Sequence, residues 1–440
     1  MSSGCPHAAL YQSEPHPDPY GAYAKMRADH GPVIPAELSP GVHGWVVTDY
    51  TTLISWSRDT TTFTHDARLW RDFTEGRVGP DNPLLPMMAP RANALFVDGA
   101  EHQRLRRAIT DALGAVTSAS LAAVTTRYAD RLIDEFCARG RADLLNEYAR
   151  MLPLLVMNDL FGMDEGQGLR FVAAMRNLWA GVDAERSNAE AERALSEVVD
   201  AKHREPGDDL TSRLIRHRAG LSDEEVIMQL LLIIAAANEP TAALIDSALR
   251  AVLTDPALRV PGGPSPAALN DLVERVLWRD PPITNYPVIY PRVDVPLDGG
   301  RVIEAGSPIL LAFAAANHFF QKDNAEQVSD GANRAHVAWG AGPHRCPARD
   351  EATTIATIAT RRILERLSDP ALAVPPEQLR WRLATLSWAP VSLPVRFTPQ
   401  TPAAPESEPG PGPDPAAPEP ARGGAVSSLS NLLKRLLRRS

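Results

Sequence analysis

The chain has 440 residues, 44% of them hydrophobic, and a formal net charge of −9, so it holds enough apolar material for a large buried core. Its acidic balance argues against a nucleic-acid binder, which needs a basic field to displace counterions from phosphates. Three scattered cysteines, Cys5, Cys137 and Cys346, suit neither a disulfide framework nor a four-thiolate zinc site, and a reducing cytoplasm is the simplest setting.

Read from the N-terminus, residues 1–17 form an extension without the basic and apolar regions of a secretory signal, and no apolar run reaches the roughly 18 residues that span a bilayer. Residues 18–399 read as one large domain. "GWVVTDY" at 44–50 predicts a short strand. In "VDGAEHQRLRRAITDAL" His102 and Arg106 fall one turn apart on a helical face, although "EHQRLRR" alone reads as a solvated basic face.

Helical periodicity then covers 119–138, 187–203 and 221–253. The last stretch opens with Ser222 and Glu225, a capping-box signature. Inside it, Pro240 removes a donor and crowds the carbonyl of residue 236, which predicts a kink or bulge at Ala236. Glycine and proline punctuate the β-rich stretches 286–313 and 386–399, predicting small antiparallel hairpins rather than a central sheet. The fold class expected is mainly α with small antiparallel β-sheets.

Near the end, "VAWGAGPHRCPAR" crowds Gly340 and Gly342 ahead of Cys346. The glycines permit a tight turn and close approach to a flat ligand. Cys346 sits just before a predicted helix at 349–367, whose positive end favours a thiolate acting as metal ligand or nucleophile. A lone cysteine is more often simply a buried thiol. Beyond it, residues 400–424 are a Pro-rich linker that cannot fold. Residues 425–440 form a short amphipathic helix with Lys434, Arg435, Arg438 and Arg439 beside a leucine face, read as a weak membrane or partner contact.

The run Trp339-Gly-Ala-Gly-Pro-His-Arg-Cys-Pro-Ala resembles the cysteine loop of the cytochrome P450 family. The resemblance extends over roughly residues 18–399 and implies the cytochrome P450 fold around heme b (iron protoporphyrin IX). It makes Cys346 the axial thiolate, lays Trp339 against the heme, and gives the propionates to His344, His102, Arg106 and Arg292. "AANEP" resembles the family's central-helix segment, so Ala236 lies over the oxygen side of the heme and Glu239 is the acid, while Pro240 replaces the usual threonine. The missing hydroxyl is then supplied by Thr241 or Asn238 swung round by the bulge, by water, or by the substrate.

The implied activity is a monooxygenase that uses dioxygen on a small, hydrophobic substrate. Its electrons come from a separate ferredoxin and ferredoxin reductase, because the chain has no credible dinucleotide fingerprint. Arg345, Arg349, Arg361 and Arg362 form the expected docking patch. One alternative is a heme-binding sensor or interaction protein with impaired oxygen activation. Another is a zinc site built from Cys346 with His344, His336 or His318, for which ligands two residues apart are poorly spaced.

One departure stands out: "LVERVLWRDPP" carries Arg275 and Trp278 where the family has a Glu-x-x-Arg pair. Replacing both members avoids a lone buried charge. Trp278 is expected to pack ahead of the cysteine loop and Arg275 to turn toward an acid or solvent. Absence of the pair resembles an actinobacterial branch found in gene cassettes with small-GTPase systems. A milder departure is Ala348 in place of glycine. Residues 84–95, 175–182, 233–239 and 286–290 are the expected substrate lining.

Overall fold

The computed structural model describes residues 8–11, 19–179, 184–255, 258, 264–324, 333–383 and 388–402. Residues 403–440, which hold most of the linker read at 400–424 and all of the helix read at 425–440, lie outside the described residues, as does most of the N-terminal extension.

Helices dominate. The longest, Asp223–Thr254, starts with a complete capping box: Ser222 accepts from the Glu225 amide and the Glu225 side chain accepts from the Ser222 amide. This central helix runs 32 residues with Pro240 inside it. Of the kink or bulge expected at Ala236, the bulge is not formed: the helix is α throughout. Buried residues on both sides of the proline, Ile233 and Ile234 before it and Leu244 and Ile245 after it, anchor the two halves in one helix despite the lost donor.

Among the helices that pack on this axis are Met151–Leu160, Ala184–Arg204, Pro266–Arg279 and Arg349–Arg366. Their apolar faces join in one large core that includes Leu154, Leu195, Leu230, Leu249, Leu277 and Ile363. Among the described residues, the central helix is the single helix long and apolar enough to cross a membrane, and 44% of its apolar window is buried within the protein.

The β-rich stretches form hairpins and more. Val33–Ser39 pairs antiparallel with Val42–Val47, and Val295–Pro296 with Val302–Ile303. A six-stranded sheet is completed by two parallel pairings, Val42–Val47 with Ile309–Leu311 and Ala8–Ala9 with Val33–Ser39. Thus Ala8–Ala9, read from the sequence as part of the extension, joins a sheet edge. Val288–Pro291 and Phe63–Thr64 close the other side, and Arg292 and His65 both reach Asp98. The late stretch forms Trp388–Pro390 and Pro394–Thr398, the latter between Ser368–Leu372 and Arg141–Asp143.

Candidate active site

The cysteine loop is a closed hairpin. The Gly340 amide donates to the Val337 carbonyl at 2.8 Å and the Cys346 amide to the Trp339 carbonyl at 2.8 Å. Gly340 and Gly342 adopt φ of +73° and +68°, a region costly for side chains other than glycine. A β-carbon on Gly342 would sit 2.0 Å from the carbonyl oxygen of Ser57 in the helix Tyr50–Arg58. Gly342 is therefore demanded by the protein's own backbone. Cys346 is half-buried and lies three residues ahead of the helix Arg349–Arg366. Burial pushes its thiol above the ordinary pKa, while the Ala348 amide and the Arg106 guanidinium act in the opposite direction.

Arg106 and His102 share one face of the helix Gly99–Gly114, as the spacing predicts. The Arg106 guanidinium donates to the backbone carbonyl of Arg345, next to Cys346. His102 is buried, with Nε2 lacking a hydrogen-bond partner. Burial and the neighbouring Arg106 lower its pKa.

His344 stacks between two other imidazoles, its ring centroid 3.6 Å from that of His65 and 4.0 Å from that of His102. Its Nε2 lies 2.9 Å from Asp98 Oδ1. Burial drives the His344 pKa down to about 3, against the pull of Asp98, so the neutral ring donates to a carboxylate. Asp98 also accepts from the His65 amide at 2.9 Å and from the Thr64 hydroxyl. Burial works to raise its pKa, but the hydrogen bonds from His344, His65 and Thr64 outweigh it and hold the carboxyl well below the usual range. Arg292 Nη2 stands 3.8 Å from the same carboxylate.

His102, Arg106, Arg292 and His344, marked by the sequence, thus come together with Asp98 and His65, which it does not mark. His65, Asp98 and His344 can bring three ligand atoms within 4.8 Å of one another. The zinc set imagined around Cys346 is not assembled: His336 Nε2 binds Glu274 at 3.1 Å, and His318 stacks on Tyr20 with centroids 4.2 Å apart.

On the central helix, Ala235 and Ala236 are exposed between buried turns, and Glu239 shares their face. Glu239 Oε1 lies 3.6 Å from Arg150 Nε, whose nitrogen has no hydrogen bond of its own. Arg150 is steadied through Nη1, which donates to Asn146 Oδ1 at 2.5 Å. Thr241 and Asn238, expected to swing toward the reaction, are instead buried, at 4% and 0% exposure, Thr241 on the side of the helix away from Ala236 and Glu239. The unbroken helix is the reason: 100° per residue turns position 241 away from the face of 236 and 239. The Asn238 amide finds no partner there.

Where a Glu-x-x-Arg pair was absent from the sequence, a different network stands. Trp278 is buried, donates from Nε1 to the Asn333 carbonyl at 2.6 Å and meets the His336 ring edge-on at 5.8 Å. This is the packing ahead of the cysteine loop that the sequence predicts. Glu274, one position before Arg275, takes His336 and also Arg334 at 3.7 Å.

These donors fit a heme. The orphaned His102 Nε2, with Arg106 beside it and Arg292 at the nearby Asp98, suits carboxylates approaching from outside the chain, and the small, exposed Ala235 and Ala236 leave a helix face open to a flat group. Asp98 is the one misfit, since it already engages His344.

No protein-family model matches the chain. Mycinamicin IV hydroxylase/epoxidase of Micromonospora griseorubida is 30% identical to it over 394 residues, covering 85% of this chain and 94% of that protein. Cytochrome P450 monooxygenase PikC of Streptomyces venezuelae is 29% identical over 398 residues, covering 86% of this chain and 91% of that protein. The solved structure of CYP154A1 from Streptomyces coelicolor A3(2) superimposes with a TM-score of 0.74 at 29% identity, over 89% of this chain and all of that one. With the helical architecture and the cysteine loop already in place, these likenesses settle the family: the chain is a cytochrome P450, a heme b monooxygenase acting with dioxygen on a small molecule.

Proposed function

We propose that Cys346 would hold the heme iron of this monooxygenase through its thiolate, that His102, Arg106, Arg292 and His344 would hold the propionates, and that Trp339 and Ala236 would lie against the group. The observation that carries the reading is the cysteine hairpin, closed by Trp339 and touched by Arg106 at Arg345. When bound, the heme supplies the iron at which dioxygen is reduced and one oxygen atom passes to the substrate. Glu239 is the residue placed to hand over protons, with Arg150 holding its carboxylate in position. A hydrophobic substrate is part of the proposal: two of the four stretches expected from sequence, 84–95 and 286–290, meet beside His65 through Met87, Met88, Leu95, Tyr286 and Val288, around a gap of about 10 Å³ that holds no more than a water.

Electrons come from a separate ferredoxin and its reductase in the cytoplasm. Ion pairing within the expected patch favours one of its four arginines. Arg349 pairs with Asp350, Arg361 with Glu365, and Arg362 with Asp130 and Glu365. Arg345 has no acidic partner among the described residues and is the expected contact. The chain's division into an N-terminal extension at 1–17, a heme domain at 18–399, a linker at 400–424 and an associating helix at 425–440 belongs to the same proposal. The test is product formation from a hydrophobic substrate panel with a surrogate ferredoxin system. Oxidised product that requires Cys346 supports the reading. Reductant consumption without product across the panel favours the sensor.

A further inference from the structure

The C-terminal half of the central helix borders an open cleft of about 470 Å³, lined by none of the active-site residues. Ser247, Arg250 and Thr254 form one wall, Arg275 and Arg279 a second, and Leu379 and Trp381 the end. Arg250 is spent on its neighbours. It donates to Asp280, lies 3.4 Å from Asp246, and sits 4.8 Å from the centroid of the Trp381 ring.

Arg275 differs. It is half-buried and has no hydrogen-bond or ion-pair partner among the described residues. Asp280, the nearest acid along its own helix end, is taken by Arg250 and by the Ser247 hydroxyl at 2.9 Å. An unmatched guanidinium on a partly desolvated wall attracts an anion more strongly than one in open water, and its fork suits a carboxylate. The surrounding wall is apolar, from Leu258, Leu272, Val276 and Leu379. Asp255 at the edge disfavours a second anionic group. The volume is that of a small-molecule site.

We propose that this cleft is a second ligand site, apart from the heme pocket, for an amphipathic monocarboxylate: its carboxylate pairs with Arg275 and its apolar body lies on Leu272, Val276 and Leu379. Arg275 occupies the position where the family carries the missing glutamate, so the same substitution that dissolved one interaction furnishes the cation for another.

The probe is 4-phenylbutyrate, titrated calorimetrically into heme-loaded enzyme while the Soret band is followed on the same samples. The expected result is one molecule bound per chain with the Soret band unmoved, weakened about tenfold by Arg275→Gln and by Thr254→Glu, and about tenfold weaker for the uncharged 4-phenylbutanol. Thr254 is exposed at the cleft edge, so Thr254→Glu keeps the test available if Arg275→Gln folds poorly. Heat that appears only together with a Soret shift, affinity unchanged in both variants, or no binding at millimolar concentration overturns the proposal.

Discussion

Arg150 Nε stands 3.6 Å from Glu239 Oε1 across the gap between the Met151–Leu160 and Asp223–Thr254 helices. This contact ties Glu239, the proposed proton donor, to a neighbouring element. Glu239→Gln is expected to lower product formation by about 10²-fold or more. Arg150→Gln should lower it less and reduce the product formed per reductant consumed. Thr241→Val should leave turnover within about twofold, because Thr241 is buried on the far side of the helix. Comparison of coupled turnover in the three variants checks this; a large loss in Thr241→Val with none in Glu239→Gln would contradict it.

Gly342 ties the cysteine loop to the Tyr50–Arg58 helix. Gly342→Ala meets both a φ of +68° and the Ser57 carbonyl, so a loss of about 3 kcal/mol or more is expected. Gly41→Ala has a φ of +76° but open space around it, and should cost about 1 kcal/mol. Denaturant melts of the two variants separate backbone strain from collision; equal losses would show that the contact with Ser57 carries no weight.

How far the sequence reveals this site follows from the range of each interaction. Cys346, His344, His102 and Arg106 announce themselves through spacing along one loop and one helix turn, which are local properties. Asp98, His65 and Arg150 carry no such mark, because their roles depend on contacts between elements distant in the chain. The parallel pairing of Val42–Val47 with Ile309–Leu311 is hidden for the same reason. Pro240 misled the reading in the other direction: the local rule predicts a bulge, and tertiary burial on both sides keeps the helix whole. Trp278 was legible because removing both members of a buried pair leaves a space that a large side chain must fill.

Asp246 gives a pH signature. Burial raises its pKa from 3.8 to about 6, with Arg250 acting against that rise. The folded value lies above the unfolded one, so the favourable contribution is complete below about pH 4 and is lost as pH rises through about 6. The loss is up to about 3 kcal/mol. Asp246→Asn removes the titration. Urea melts at pH 4.5 and 7 should show the variant gaining on the parent as pH rises; parallel curves would mean that the carboxyl is not held protonated.

The Glu274 network predicts a specific failure of reversion. Arg275→Glu together with Trp278→Arg rebuilds the family's pair in sequence, yet it removes the indole that donates to Asn333 and packs on His336. The double variant is expected to lose about 2–4 kcal/mol. Glu274→Gln alone should also destabilise, because His336 and Arg334 both turn to that carboxylate. Thermal melts monitored at the heme band report both; a double variant more stable than the parent would show that the new network is not the one holding this region.

The direct test of the central assignment is the absorption spectrum of the reduced, carbon-monoxide-bound protein, alone and with Cys346→Ser. The parent chain is expected to bind one heme and give the red-shifted Soret band of a thiolate-ligated iron, and Cys346→Ser to lose that band. A Cys346→Ser protein with the parent's spectrum, or a parent that stays colourless when supplied with hemin, would contradict the account.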